Sequence, residues 1–321
     1  MVAEQLLNSL NIPSPLERFH LKHSLLPNLT LDIKRDDLIH PLLSGNKVRK
    51  LLGHLESVSH GLFTGLISMG GPWSNHLHAC SWLSREIGIP FVAIIRGQEP
   101  KEYSDTLKDM AAWGTRLVFV SRADYREIRT YYENPEHLKP AILKTFEDYY
   151  FIPEGGRDTR AIEGLNQLTE ELDHDYDAIY LGVGTGTTLA GLLNSWSNST
   201  THIYGILAVD AQDSQQLTIS ELTRESKPKY SLLDEYTFGG FAKTNEHLLK
   251  FMLDFHRDTG VPLEPVYTGK AMYALQEHIN EGRYDEGANI LFIHTGGLQG
   301  LRGYSELTPL LGTPSHLKLE I

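Results

Sequence analysis

The stretch Ser44-Gly45-Asn46-Lys47-Val48-Arg49-Lys50-Leu51 decides how this chain is read. Upstream, Leu31-Asp32-Ile33-Lys34-Arg35-Asp36-Asp37 reads as a strand running into a charged turn. Downstream, Val48, Leu51, Leu52 and Leu55 recur at helical spacing, so Ser44 to Asn46 form the entrance to a helix. Lys47 then falls in the first turn, near unsatisfied backbone N–H groups and the cations Arg49 and Lys50. Both neighbours disfavour its protonated form, and partial burial lowers its pKa further. A lysine that attacks a carbonyl needs such a lowered pKa. On the octet alone, a solvated lysine at a basic helix start is the better account; the other segments reverse that.

Working outward, short apolar strands alternate with helices. Gly65 to Gly71 reads as a strand ending in glycines, followed by the loop Pro72-Trp73-Ser74-Asn75-His76 and a helix from about Leu77 to Glu86. Further strands are expected at 90–96 and 116–120, with a helix through Leu107 to Met110 between them. The pattern continues with a helix over about 159–171, a strand at 178–181, a helix at 189–196 and a strand at 203–209. Helices are expected at 245–259 and after Lys270, and a last strand at 289–294. Strands separated by helices are the pattern of a parallel sheet. Residues 1–30 read as an irregular lead-in, 125–150 as aromatic and helical, 151–156 as a crossing between domains, and 212–243 as a polar surface excursion. Three glycine-rich turns, after Met69, Leu181 and His294, follow strands, where open α/β sheets bind ligands.

Composition narrows the class. The 321 residues are 40% hydrophobic and 22% charged, which is ordinary globular protein. A net charge of −12 with mixed signs argues against nucleic acid or an anionic membrane as the main partner. The single cysteine, Cys80, excludes an intramolecular disulfide and a cysteine-based metal cluster, and reads as a helix-packing residue. His54, His60, His76 and His78 share no metal-ligand spacing, so no metal is expected. No secretory signal and no membrane-length apolar run is seen, and a reducing, cytoplasmic setting is the default.

The loop Gly182-Val183-Gly184-Thr185-Gly186-Thr187-Thr188 places three glycines and two hydroxyls at a helix start. A helix N-terminus favours an anion, and the threonines add donors. The loop lacks the Gly-Lys-Ser/Thr ending of a nucleotide P-loop. Its G-x-G-x-G spacing also differs from the dinucleotide fingerprint, although Asp210 ends the next strand as a ribose-binding acid would. A single phosphate is the better expectation; a glycine turn for tight strand–helix packing is the plainer one.

The S-G-N-K octet, the Ser74-Asn75 turn, the glycine loop and Pro265-Val266-Tyr267-Thr268-Gly269-Lys270 occur in one order between Lys34 and Gly297. Together they resemble the pyridoxal-phosphate enzymes of tryptophan-synthase-β type, specifically the 1-aminocyclopropane-1-carboxylate deaminase/D-cysteine desulfhydrase family. The resemblance implies an α/β protein of two domains with three-layer open parallel sheets (fold type II). Residues 1–49 and 156–321 would form a large cofactor-binding domain, and 50–155 a smaller inserted one. It implies that Lys47 forms a Schiff base with the aldehyde of pyridoxal 5'-phosphate and exchanges protons at the substrate α-carbon. Asn75 would meet the ring hydroxyl, and Gly184, Thr185, Gly186, Thr187 and Thr188 the phosphate. Tyr267 would lie against the pyridine ring, with Thr268 and Thr295 on its nitrogen side. Ser74 would meet the substrate carboxylate and serve as an acid/base, with His76 and Phe241 also on the substrate side. Ser74 and Asn75 could otherwise simply cap their helix. The relatives imply a homodimer acting on a small amino acid.

Two positions discriminate within the family. Deaminases follow Val-Tyr with glutamate and precede the last Gly-Gly with leucine; this chain has Thr268 and Thr295, both desulfhydrase-like. A neutral hydroxyl leaves the ring a weaker electron sink, sufficient for a good β-leaving group but not for opening a cyclopropane. Pro72 and Trp73 replace polar residues usual in both branches, and Phe241 stands where relatives have a tyrosine. The expected reaction is elimination of D-cysteine to pyruvate, sulfide and ammonia. Rivals are deamination of aminocyclopropane carboxylate, a nucleotide-dependent oxidoreductase, and an idle protein that binds the cofactor.

Overall fold

The computed structural model describes residues 2–19, 28–43, 45–60, 63–134, 136–209, 212–224 and 228–311. Ser44 and Asp210, both read in the sequence, lie outside them. The strands, in chain order, are Leu16–Phe19 (β1), Thr30–Arg35 (β2), Gly65–Gly70 (β3), Phe91–Arg96 (β4), Arg116–Val120 (β5), Tyr149–Ile152 (β6), Ala178–Val183 (β7), His202–Leu207 (β8), Lys229–Leu233 (β9) and Asn289–His294 (β10). The α-helices are Val2–Ser9 (α1), Asn46–His60 (α2), Asn75–Glu86 (α3), Asp105–Ala112 (α4), Arg122–Glu133 (α5), Ala141–Lys144 (α6), Thr159–Glu170 (α7), Thr187–Ser195 (α8), Gln212–Leu222 (α9), Glu246–Thr259 (α10) and Thr268–Asn280 (α11).

Two sheets form. The larger has the order β1-β2-β10-β7-β8-β9, and the smaller β5-β4-β3-β6. Every pairing is parallel except β1 with β2. In the larger sheet Phe292 lies opposite Ile33 on one side and Tyr180 on the other. β3, β7 and β10 are buried almost throughout, as apolar strands covered on both faces must be. One core joins β2, β7 and β10 to α10 and α11, and another joins β7, β8 and β10 to α8. The smaller sheet packs on α2, α3 and α4 on one face and on α5 and α6 on the other. Leu6, Leu10, Ile39 and Leu43 also join the smaller sheet's core, so the first part of the chain serves both sheets. Among the described residues no helix is long and apolar enough to cross a membrane.

Three sequence expectations are corrected. The lead-in contains α1 and the edge strand β1, which pairs Leu16 with Lys34 of β2. The aromatic segment is not helical to its end: Tyr149 and Tyr150 begin β6, whose Ile152 pairs with Ser68 of β3. The polar excursion holds α9 and β9. The inward face of α9 is Gln215, Thr218 and Ile219, mostly polar, so apolar periodicity could not reveal it.

The charged turn after β2 is not a surface feature. Arg49, fully buried on α2, donates to both oxygens of Asp36 at 2.8 and 2.7 Å and to Glu171 at 2.7 and 2.9 Å. Lys34 closes the set on Glu171 at 2.6 Å. Burial alone would raise the Glu171 pKa, but the hydrogen bonds and charges of Arg49 and Lys34 hold it below the ordinary glutamate value. This knot fixes α2 against β2 and the end of α7. A close helix crossing reinforces it: a Cβ on Gly53 would lie 1.9 Å from Arg160 O, and one on Gly164 2.0 Å from Arg49 O.

Candidate active site

The carboxyl ends of β3, β7 and β10 open on one cleft of about 1640 Å³. Gly45 sets its first wall. It adopts φ +69°, donates its N–H to Asp36 O at 2.9 Å, and approaches so closely that a Cβ would lie 2.0 Å from Thr295 O. Only glycine meets both demands. The next residue, Asn46, donates its N–H to Thr295 O at 3.2 Å and starts α2.

Lys47 therefore stands at the first turn of α2, half-buried, with its amine in the cleft. Burial lowers its pKa to about 8, against the opposing pull of Glu264 and Cys80. The expectation that Arg49 helps depress it is corrected, because that guanidinium faces Asp36 and Glu171 instead. Lys50 lies fully buried beside it, donating to Gly155 O at 3.1 Å, and burial pushes its pKa well down. Cys80 is buried, and burial raises its thiol pKa, which suits packing rather than attack.

Asn46 had no role in the sequence reading. Its Oδ1 accepts from Lys47 Nζ at 2.9 Å, and its Nδ2 donates to Thr188 Oγ1 at 2.8 Å. One side chain thus ties the amine to the glycine loop. There, Gly186 takes φ +88° at the start of α8, and Gly184, Thr185, Gly186 and Thr188 line the cleft. Thr187 does not: it is fully buried, 3.0 Å from the Thr185 hydroxyl. The first N–H groups of α8 have no helical partner, so this corner offers donors to an anion.

Tyr267 forms the opposite wall. A Cβ on Gly184 would come within 3.1 Å of its ring, so that glycine makes room for the tyrosine as well as for a ligand. Phe241 meets the ring edge-on at 6.2 Å. Phe241 is 53% exposed and sits in a loop whose Phe238 and Ala242 have positive φ. Lys270 holds that loop, donating to Thr237 O at 2.7 Å, Gly240 O at 2.9 Å and Ala208 O at 3.2 Å.

Thr295 lines the cleft, whereas Thr268 does not. The Thr268 hydroxyl accepts from Glu264 N at 2.9 Å, and its N–H donates to Glu264 Oε1 at 2.7 Å. Glu264, another residue given no role in the sequence, caps this turn through the N–H groups of Val266, Tyr267 and Thr268. Burial raises its pKa against those bonds.

On the smaller sheet's side, Ser74 caps α3, its Oγ accepting from Leu77 N at 3.2 Å. Asn75 accepts from Gln299, and Trp73 packs on Gly303. His76 is buried with Nε2 2.8 Å from Ser68 Oγ, and burial pushes it well below the usual imidazole range, so it is neutral. The Ser68 hydroxyl donates to Ile152 O, which leaves His76 Nε2 as the donor of that pair. Lys47, Ser74, Asn75, His76, Gly184, Thr185, Gly186, Thr188, Phe241, Tyr267 and Thr295 all border the one cleft. A neutral-prone amine facing a donor-rich glycine turn, with an aromatic wall beside them, could hold a phosphorylated aldehyde. Asn46 and Gln299 were invisible in the sequence because Thr188 and Asn75 lie far along the chain, and Glu264 because nothing marks an acid before Pro265 as the cap of the turn that follows.

Comparison with known proteins agrees. The sequence pattern of the family described as "Pyridoxal-phosphate dependent enzyme" matches residues 9–296. A putative 1-aminocyclopropane-1-carboxylate deaminase of Thermotoga maritima is 31% identical over 84% of this chain and 89% of its own length. The bifunctional D-cysteine desulfhydrase/1-aminocyclopropane-1-carboxylate deaminase of Arabidopsis thaliana, mitochondrial, is 30% identical over 96% of this chain and 82% of its own. The crystal structure of an ACC deaminase homologue superposes with TM-score 0.74 at 28% identity, covering 92% of this chain and 93% of that one. A threonine deaminase of Solanum lycopersicum, 19% identical with TM-score 0.63, shares the fold.

Proposed function

This chain belongs to the pyridoxal-phosphate dependent enzyme family, and on that premise we propose that it is a lyase acting on D-cysteine. The overall change is D-cysteine plus water to pyruvate, hydrogen sulfide and ammonia. The observation that carries the reading is the Lys47 amine, its pKa lowered to about 8, joined through Asn46 to the hydroxyl of Thr188. When bound, the cofactor supplies the electron sink that lets a bond at the substrate α-carbon ionise.

The chain's own residues supply the rest. The Lys47 amine would hold the cofactor aldehyde and, once displaced by substrate, would take the α-proton as the β-sulfur leaves. Thr185, Thr188 and the start of α8 bind the phosphate, with Thr187 bracing Thr185 from behind. Tyr267 offers its ring face to the pyridine, and the Thr295 hydroxyl meets its nitrogen. Thr268 acts there only through the Glu264 turn. Ser74 and the first turn of α3 receive the substrate carboxylate, Asn75 meets the cofactor ring hydroxyl, and neutral His76 fixes α3 through Ser68. Phe241 closes the outer wall without offering a proton. The two sheets serve as separate domains, 1–49 with 156–321 and 50–155, that close over substrate and exclude water. A homodimer in the cytoplasm completes the reading, since the one buried thiol needs no oxidising compartment.

Product analysis tests this. Pyruvate and sulfide in equal amounts from D-cysteine, exceeding 2-oxobutanoate from the cyclopropane substrate, are expected. The opposite ranking would favour the deaminase reading, which the names of the relatives keep in view.

Cofactor loading carries a pH signature. Only the unprotonated amine attacks an aldehyde, so the loading rate should rise with pH and level off above about 8. A rate still climbing toward the ordinary lysine value would mean the amine is not buried.

A further inference from the structure

Next to this cleft lies a group of cations that the reaction above does not use. Arg96 ends β4 and lines both the cleft and a side cavity of about 380 Å³, whose other walls are Arg122, Tyr125, Arg126 and Arg129. Four arginines converge here in a chain of net charge −12. Tyr125 is buried, with the Arg96 and Arg129 guanidinium carbons 5.6 and 5.5 Å from its ring centroid, which holds them in place. The nearby acid is already committed: Glu154 accepts from Arg129 at 2.5 Å and from the Tyr125 hydroxyl at 2.7 Å. Among the described residues Arg96, Arg122 and Arg126 have no ion pair.

Arg96 also reaches the turn after β3. A Cβ on Gly71 would lie 3.8 Å from its Nη2, and one on the preceding Gly70 would lie 2.7 Å from Ser74 Oγ. The unpaired guanidinium and the serine therefore flank successive residues of one turn. Ser74 and the start of α3 take one carboxylate, so Arg96 is placed for a second anion on the same molecule. We infer that Arg96, backed by Arg122 and Arg126, forms an anion subsite, and that the substrates include amino acids whose β-substituent carries a negative charge. This rests on the proposed amino-acid lyase reading and names its substrate class. A guanidinium fork suits a carboxylate, phosphate or similar oxyanion, and charge-assisted contacts are the stronger hydrogen bonds.

Two isosteric pairs test it without requiring elimination. Binding of aspartate against asparagine, and of glutamate against glutamine, each as both enantiomers, is measured on the cofactor-loaded protein by calorimetry. The acidic member of at least one pair should bind about tenfold more tightly or better. Arg96→Gln should bring that ratio to near one, and Arg96→Lys should restore part of it. Equal binding in both pairs, or a preference that survives Arg96→Gln, overturns the subsite. An Arg96-dependent preference in a protein that releases no pyruvate from D-cysteine would sink the lyase reading and leave the subsite standing. Pyruvate release with no preference would do the reverse.

Discussion

Lys47→Ala is expected to lose turnover by about three orders of magnitude or more, because in the proposed reaction this one amine holds the cofactor and takes the α-proton. The neighbouring Lys50 does not substitute: its amine is fully buried and donates to Gly155 O. The variant keeps its fold. Lowering a lysine from 10.5 to about 8 costs on the order of 3 kcal/mol where the protonated amine is held in a site that desolvates it. The unfolded chain binds the extra proton between those two values, so this cost is full below about 8 and fades as pH rises toward 10.5. Removing the amine removes the cost, and the unfolding midpoint at neutral pH should hold or rise. Thr185, Thr188 and Tyr267 remain, so pyridoxal phosphate still binds, now reversibly. Steady-state product release and dialysis of the loaded variant check both halves. Undiminished turnover would remove Lys47 from the reaction.

Arg49→Ala destabilises the protein by about 3–5 kcal/mol, since it leaves Asp36 charged with no cation in a site that water does not reach. Glu171 keeps Lys34, so Asp36 bears most of the loss. Adding Asp36→Asn to that variant removes the stranded charge and should recover part of the stability. Because the native Glu171 pKa is lowered, its share is present above the ordinary glutamate value and is lost as pH falls through the native one. Urea unfolding at neutral pH is the check. A loss under about 1 kcal/mol would mean that water solvates the knot. Since α2 carries Lys47 at its start, the same variant should also load cofactor more weakly.

Much of this was legible beforehand. The strand–glycine–helix rhythm placed β3, β7 and β10 and put their turns on one side, because parallel strands aim their carboxyl ends together. Much of what escaped depends on contacts distant in sequence. Asp36 and Glu171 look like surface acids until Arg49 is seen between them. β6 hides in an aromatic run, since Tyr149 and Tyr150 suit a helix face or a strand equally. α9 turns glutamine and threonine inward, which a search for apolar stripes passes over. At the site, Thr268 read as a cleft residue from its place after Val-Tyr, but Glu264 draws its hydroxyl into the turn. Asn46 stood inside the deciding octet with no sign that it would bridge Lys47 and Thr188.

The central claim is that one amine, at position 47, holds an aldehyde cofactor whose phosphate rests on the threonine loop. Borohydride reduction of the pyridoxal-phosphate-loaded protein, followed by peptide mass mapping, tests it most directly. The pyridoxyl mass should appear on the peptide carrying Lys47, at the nitrogen of that residue. The same mass on Lys50, on another lysine, or nowhere would contradict the account.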